Sequence, residues 1–230
     1  MASHGLYIDS TPKEVSSAPG LHLITQNTPN GQATQILLEE LESAYGTPFT
    51  TTVIDISTNE QKKEWFLRLN PNGRIPVVVD NTRSPPFPDH KFGFTDPLEK
   101  SEAEQWIFFW HGGGAPYQGN LNYFSRNSPE NDFGIARFKN ETLRVFGVLE
   151  IRLSGIYAAD KQPRDYVVGV GKGKYSIADI KTWAWIKYWP TRFTQDEMKE
   201  FPYLLKWVER IAAREAVKLG IGEKYAKKSL

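Results

Sequence analysis

The stretch Asn70-Pro71-Asn72-Gly73-Arg74-Ile75-Pro76-Val77-Val78-Val79-Asp80 constrains the fold more than any other part of the chain, because a proline stands directly before three valines. Proline has no N–H to give to a sheet ladder, so Pro76 must take the first position of a strand or a special turn. With Asn-Pro-Asn-Gly ahead of it, the segment predicts a tight turn with a cis Ile75–Pro76 bond that leaves the Ile75 N–H and C=O exposed. An exposed backbone pair of this kind can hold an extended peptide as one more strand. Read by itself, the same turn is an ordinary start to a strand.

Upstream, Leu21-His22-Leu23-Ile24-Thr25 reads as a strand and Thr28-Pro29-Asn30-Gly31 as a turn. Gln32 to Tyr45 follows with Ile36, Leu37, Leu38, Leu41 and Tyr45 at helical spacing, and the β-branched run Thr50 to Ile56 reads as a second strand. The order strand, turn, helix, strand, helix, proline-led strand is the βαβ half of a thioredoxin-like fold. The wording TPNGQATQILLEEL and LNPNGRIPVVVD resembles glutathione transferases, in particular the fungal branch that includes the yeast nitrogen-catabolite regulator, and its bacterial relatives.

Composition narrows the chemistry. The 230 residues suffice for a small domain and a larger one. No run approaches the length of a membrane span, and Met1 to Gly20 has no apolar signal core, so residues 1–17 read as a flexible leader and the protein as cytoplasmic. The net charge of +1 is spread along the chain and suggests neither nucleic acid nor an acidic membrane as partner. There is no cysteine, which removes disulfides, thiolate metal sites and a cysteine nucleophile, and with them the cysteine-based branches of the superfamily. His4, His22, His90 and His111 have no ligand spacing, so no metal site is expected.

The second half reads as helical. One helix runs from Pro97 to about Phe124, broken at Gly112-Gly113-Gly114-Ala115-Pro116, and another from about Asn131 to Ala159. Ser176-Ile177-Ala178-Asp179 reads as a capping box opening a third, and Pro202 to about Lys218 as the last. The capping box is similar to the structural N-capping motif of glutathione transferases and is given no chemistry. Gly169-Val170-Gly171-Lys172-Gly173-Lys174 lacks the spacing of a phosphate-binding loop and reads as a surface loop. The expected architecture is α/β plus all-α: a shortened thioredoxin-like domain over 18–90 and a helical bundle over 96–230.

The resemblance implies glutathione as co-substrate and no metal. Its thiolate would be held at the start of the first helix by Asn30, with Thr28 as the secondary candidate. From residue types alone both are ordinary turn and cap residues. Thr25 and Gln26 occupy the place where other classes carry a tyrosine or serine, and Tyr7 and Ser10 fall in the leader. By the same resemblance Gln61 contacts the glycyl end, and the Arg74-Ile75-Pro76 turn holds the tripeptide. Trp110, His111, Tyr117, Gln118 and Asn122 around the glycine break would form a pocket for an aromatic or apolar electrophile. The implied function is conjugation in detoxification or fungal secondary-metabolite biosynthesis, in a possible homodimer. The alternative is a catalytically impaired regulatory or ligand-carrying protein.

The resemblance departs after Asp80. The family continues with a fourth strand, an acidic-serine turn and a third helix, for which a mean strand and helix need about 16–18 residues. Only twelve residues lie between Arg83 and Asp96, three of them proline. The strand and the helix are therefore expected to be missing, and with them the turn that receives the γ-glutamyl carboxylate.

Overall fold

Val15, in the segment expected to be a free leader, has no exposed surface. It sits in a one-turn helix, α1 (Lys13–Ser16), among Ile24, Ile54, Trp65 and Phe66, with Tyr7 and Ile8 against the same cluster. The leader expectation is thus corrected from residue 6 onward. A polar average concealed three apolar side chains spaced to cover one face of a sheet. The structure is a computed structural model describing residues 6–81 and 89–226. They fall into two compact units, one built from the residues up to 81 with 214–226 and the other from 89–213.

In the first unit, β1 (Leu21–Thr25) is buried at all five positions, as suits a central strand covered on both faces. It runs parallel to β2 (Phe49–Val53) and antiparallel to β3 (Val77–Asp80), in the order β2-β1-β3. Between β1 and β2 lies α2 (Pro29–Tyr45), which begins at a Thr28 cap with Pro29 in its first turn. It ends on Gly46 in the left-handed region at φ 65°. After β2 come two short 3-10 turns and α3 (Glu64–Leu69). The turn before β3 is as anticipated: Gly73 has φ 61°, the Asn70 side-chain amide donates to Arg74 O at 2.8 Å, and Ile75–Pro76 is cis.

The sheet shows three strands among the described residues. Residues 82–88, where a fourth would begin, lie outside them. Residues 89–95 form turns, with Phe92 and Phe94 buried in the second unit. No strand or helix therefore lies between Asp80 and Pro97 among the described residues.

The second unit opens with α4 (Pro97–Phe109), capped by the Asp96 carboxylate accepting from Leu98 N–H and Glu99 N–H. The expected break is instead a π turn, Trp110–Gly114, that carries the helix on into α5 (Ala115–Asn127). Gly114 explains it: a Cβ there would lie 2.2 Å from the Trp110 ring, so the indole packs down against bare backbone. Then follow α6 (Asp132–Ser154), α7 (Ile177–Ile186), α8 (Gln195–Met198) and α9 (Pro202–Ala212) around Trp110, Phe146, Leu149, Trp183 and Trp207.

The last expected helix is divided. After α9 the chain turns at Ala213 and Arg214, and α10 (Glu215–Gly220) packs along α2 in the first unit, so the boundary drawn at 96–230 is corrected to end near 213. Gly220 allows this closeness, since a Cβ there would meet Ile36 Cα at 2.7 Å. Two buried carboxylates of α2 complete the fit. Glu40 accepts a fork from Arg214 at 2.5 and 2.9 Å, and Glu39 accepts from Lys224 Nζ and Tyr225 OH at 2.7 and 2.6 Å.

Candidate functional site

At the end of β1 the chain turns sharply into α2. Thr28 N–H donates to Gln26 O at 2.7 Å, and the Thr28 hydroxyl accepts from Gly31 N–H at 3.2 Å. A Cβ at Gly31 would lie 2.0 Å from Gln26 O, so only glycine lets the helix begin this close to the strand. Around the turn, Gln26 Oε1 accepts from Ile56 N–H at 2.8 Å. Gln32 donates to Asn27 Oδ1 at 2.6 Å, and Gln35 donates to Thr25 Oγ1 at 3.0 Å. Thr28 is thereby committed to capping, and Asn30 stands half-buried in the first turn. The sequence placed Gly31 in the turn, Gln26 at the end of the strand and Gln32 at the start of the helix, but not the hydrogen bonds of the two glutamines or the close approach at Gly31. The glycine three residues after a Ser/Thr-type cap was the available sign of a close backbone approach.

The antiparallel register brings the second predicted element to the same place. Ile24 faces Val77, so continuing the register by two residues sets Ile75 beside Gln26, just before the Thr28 cap. Among the described residues none hydrogen-bonds the Ile75 N–H or C=O. Arg74 is exposed, and its carbonyl is held by Asn70. Asn30, Thr28, Ile75 and Pro76 therefore gather at one end of the sheet. Gln61 is neither solvated nor open: it is 7% exposed, its amide nitrogen donates to Ile56 O at 3.2 Å, and its Oε1 has no partner.

The five residues expected to form an electrophile pocket do not converge. Trp110 and Gln118 are 1% and 2% exposed and belong to the helical core, where Gln118 donates to Trp185 O at 2.9 Å. Asn122 accepts from Arg192 Nε at 2.8 Å. His111 is exposed, and Tyr117 is half-buried against Phe138 at 6.1 Å between centroids. The π turn is the reason, because it rolls Trp110 onto the inward face with Gly114 and Gln118.

Two buried titratable groups serve the fold. His22 is 1% exposed between Thr50 Oγ1 at 2.7 Å and Thr52 Oγ1 at 3.0 Å, and burial holds its pKa below the usual imidazole value despite Glu14. Asp179 is fully buried and accepts from Trp207 Nε1, Val167 N–H, Ser176 N–H and Ser176 Oγ. Burial pushes its carboxyl up to about 6 against those four bonds. Among the described residues no cluster of three His, Asp or Glu side chains is placed to hold a metal, and no helix is long and apolar enough to cross a membrane.

Comparison with known proteins identifies what this geometry belongs to. The family model for the glutathione S-transferase N-terminal domain matches residues 29–91, and that for the C-terminal domain matches residues 121–219. A glutathione S-transferase domain-containing protein of Dictyostelium discoideum is 31% identical, over 84% of this chain and 78% of its own. A glutathione transferase homolog from Lodderomyces elongisporus, solved with two GSH per subunit, is 30% identical with a TM-score of 0.74, over 88% of this chain and 98% of its own. The nitrogen regulation fragment of the yeast prion protein Ure2p is 25% identical with a TM-score of 0.75, over 94% and 100%.

Proposed function

Because this chain belongs to the glutathione S-transferase superfamily, we propose that its first unit binds glutathione and that the protein joins the thiol to an electrophilic carbon of an apolar or aromatic small molecule. The observation that carries this reading is the meeting of the α2 N-terminus with the unengaged Ile75 backbone at the end of β1. Ile75 would pair its N–H and C=O with the cysteinyl part of the tripeptide. That would lay the sulfur at the first turn of α2, beside Asn30.

A free thiol with a pKa near ~8.5 is only a few per cent ionised at neutral pH. The helix N-terminus stabilises the thiolate by about 0.3–1 kcal/mol, or ~2 when partly buried, and the Asn30 side-chain amide would supply the further hydrogen bond. The thiol proton goes to solvent, the S–C bond forms, and a leaving group or conjugated carbonyl takes the electron pair. The expectation from the sequence that the acidic-serine turn is missing implies the loss of two charge-assisted hydrogen bonds of ~1.5–3 kcal/mol each at the γ-glutamyl end. That weakens glutathione by roughly two to four decades relative to a complete site. In the same proposal the protein is cytoplasmic and homodimeric, with the exposed Leu98 and Phe108 of α4 as apolar surface for the second copy.

Calorimetric titration with glutathione in two buffers of different ionisation enthalpy tests the reading. Binding with proton release supports it, and Asn30→Ala then removes most of the proton release while leaving the folded chain intact. No binding by a cooperatively folded chain, even with glutathione raised to the limit of its solubility, would overturn it. That outcome favours the second reading, a regulatory or ligand-carrying protein, which rests on the departure after Asp80 and on the likeness to a nitrogen regulation fragment.

A further inference from the structure

The outer edge of β2 borders a cavity of about 770 Å³ that the glutathione reading does not use. Ile54 N–H donates to Thr25 O at 2.9 Å, so residues 50, 52 and 54 turn their peptide groups toward β1, while 49, 51 and 53 turn theirs to the open edge. Phe49, Thr51 and Val53 all line the cavity. Among the described residues no strand pairs with this edge and nothing hydrogen-bonds the Thr51 or Val53 peptide groups. Thr51 also keeps a buried hydroxyl without a partner. An unprotected edge beside a cavity is a template for one more strand.

The lining selects the charge of what docks. Glu14, Asp55 and Glu60 stand on it, against Lys224 as the cation. Lys224 is already bound to Glu39 at 2.7 Å and lies over the Phe49 ring. Glu60 shares its charge with Lys63 at 2.5 Å and accepts from Trp65 Nε1, whereas Glu14 has no ion pair among the described residues. The balance is acidic, with apolar surface from Phe49, Pro12 and Val53.

We propose that the free edge of β2 docks an extended, lysine- or arginine-rich segment of a partner protein by strand addition, through the Thr51 and Val53 peptide groups with Glu14 at its rim. Two outward residues about 6.6 Å apart match the ladder repeat of an extended chain, which a compact small molecule does not reproduce. The site lies on the far strand of the sheet from Ile75 and does not depend on the glutathione reading.

The test is fluorescence anisotropy of the full chain with a labelled Lys-Val-Lys-Val-Lys-Val peptide. Its counterpart methylated on alternate backbone nitrogens, and a Glu-Val version, should each bind at least about tenfold more weakly, because each removes charge-assisted or ladder hydrogen bonds. Glu14→Gln should weaken the parent peptide about two- to fivefold, the size of one exposed ion pair. Val53→Pro should abolish binding while leaving β1 pairing intact, since proline is tolerated where the N–H faces outward on an edge strand. Binding of the methylated peptide as tightly as the parent overturns the proposal even if Val53→Pro fails to fold. So does displacement of the peptide by n-hexylamine at similar concentration, which would make this a small-cation pocket. Failure of the folded chain to bind the parent peptide overturns it as well.

Discussion

At the start of α7, Asp179 is sealed from solvent and its carboxylate accepts from four donors drawn from Ser176, Val167 and Trp207. At the start of α2, Thr28 is half-buried and accepts one bond, from Gly31 N–H, while the next residue, Pro29, has no N–H. Both are helix N-termini with a hydroxyl at the cap, and both carry the same partial positive charge. At the first, both oxygens of the Asp179 carboxylate are engaged within its own unit, so it ties the start of α7 to Val167 and to Trp207 of α9. The second sits at a strand end beside the Ile75 backbone pair, which no described residue engages. A helix N-terminus becomes a binding site by what the tertiary structure leaves unsatisfied around it.

The largest test of that contrast is Asp179→Ala. Four buried donors lose their acceptor at once, so the second unit should be destabilised by about 3–5 kcal/mol. Thermal unfolding should show loss of a cooperative transition, and a shift of only a degree or two would refute the structural role. Next comes Gly31→Ala. Its methyl would meet backbone, not a flexible side chain, so the α2 start must shift, at about 1–3 kcal/mol. Glutathione binding, read by calorimetry, should fall with it. Thr28→Ala should cost about 1 kcal/mol through loss of the cap and leave glutathione affinity nearly unchanged, since the hydroxyl is engaged by Gly31. A large affinity loss with unaltered stability would instead make Thr28 a ligand contact.

The smallest effect is a pH tilt between the units. Asp179 has its folded pKa raised to about 6, so its contribution is fully present below the unfolded value of 3.8 and is lost as pH rises through about 6. His22 is lowered, so its contribution is present above the unfolded value of 6.5 and is lost as pH falls below it. Acidification from pH 7 to 5 should therefore weaken the first unit and strengthen the second. Hydrogen exchange resolved by segment reads this directly, and a parallel change in both units would refute it.

Much of the candidate site was legible in the chain. Pro76 before three valines placed β3 and its turn, and Thr28-Pro29-Asn30-Gly31 placed the start of α2, because proline and glycine act through backbone geometry that neighbours scarcely alter. The burial of Gln61 and Trp110 was not legible. The resemblance implied Gln61 as a contact to a ligand and Trp110 as a pocket wall beside three glycines, and both are buried. Packing buries both, Gln61 through its bond to Ile56 O in the segment after β2 and Trp110 by lying across Gly114.

Local chemistry in the sequence by itself determined the order from β1 to β3, the capping box at Ser176 and the shortened stretch after Asp80, since each depends on residues within a few positions of one another. The tertiary structure alone decided that residues from Tyr7 onward close the face over Ile24, and that Arg214 and Tyr225 return to the carboxylates of α2. It also decided that β2 keeps an open edge. These outcomes depend on contacts between segments as much as 186 residues apart. Their stability comes from shared burial and paired charge, which no local pattern records.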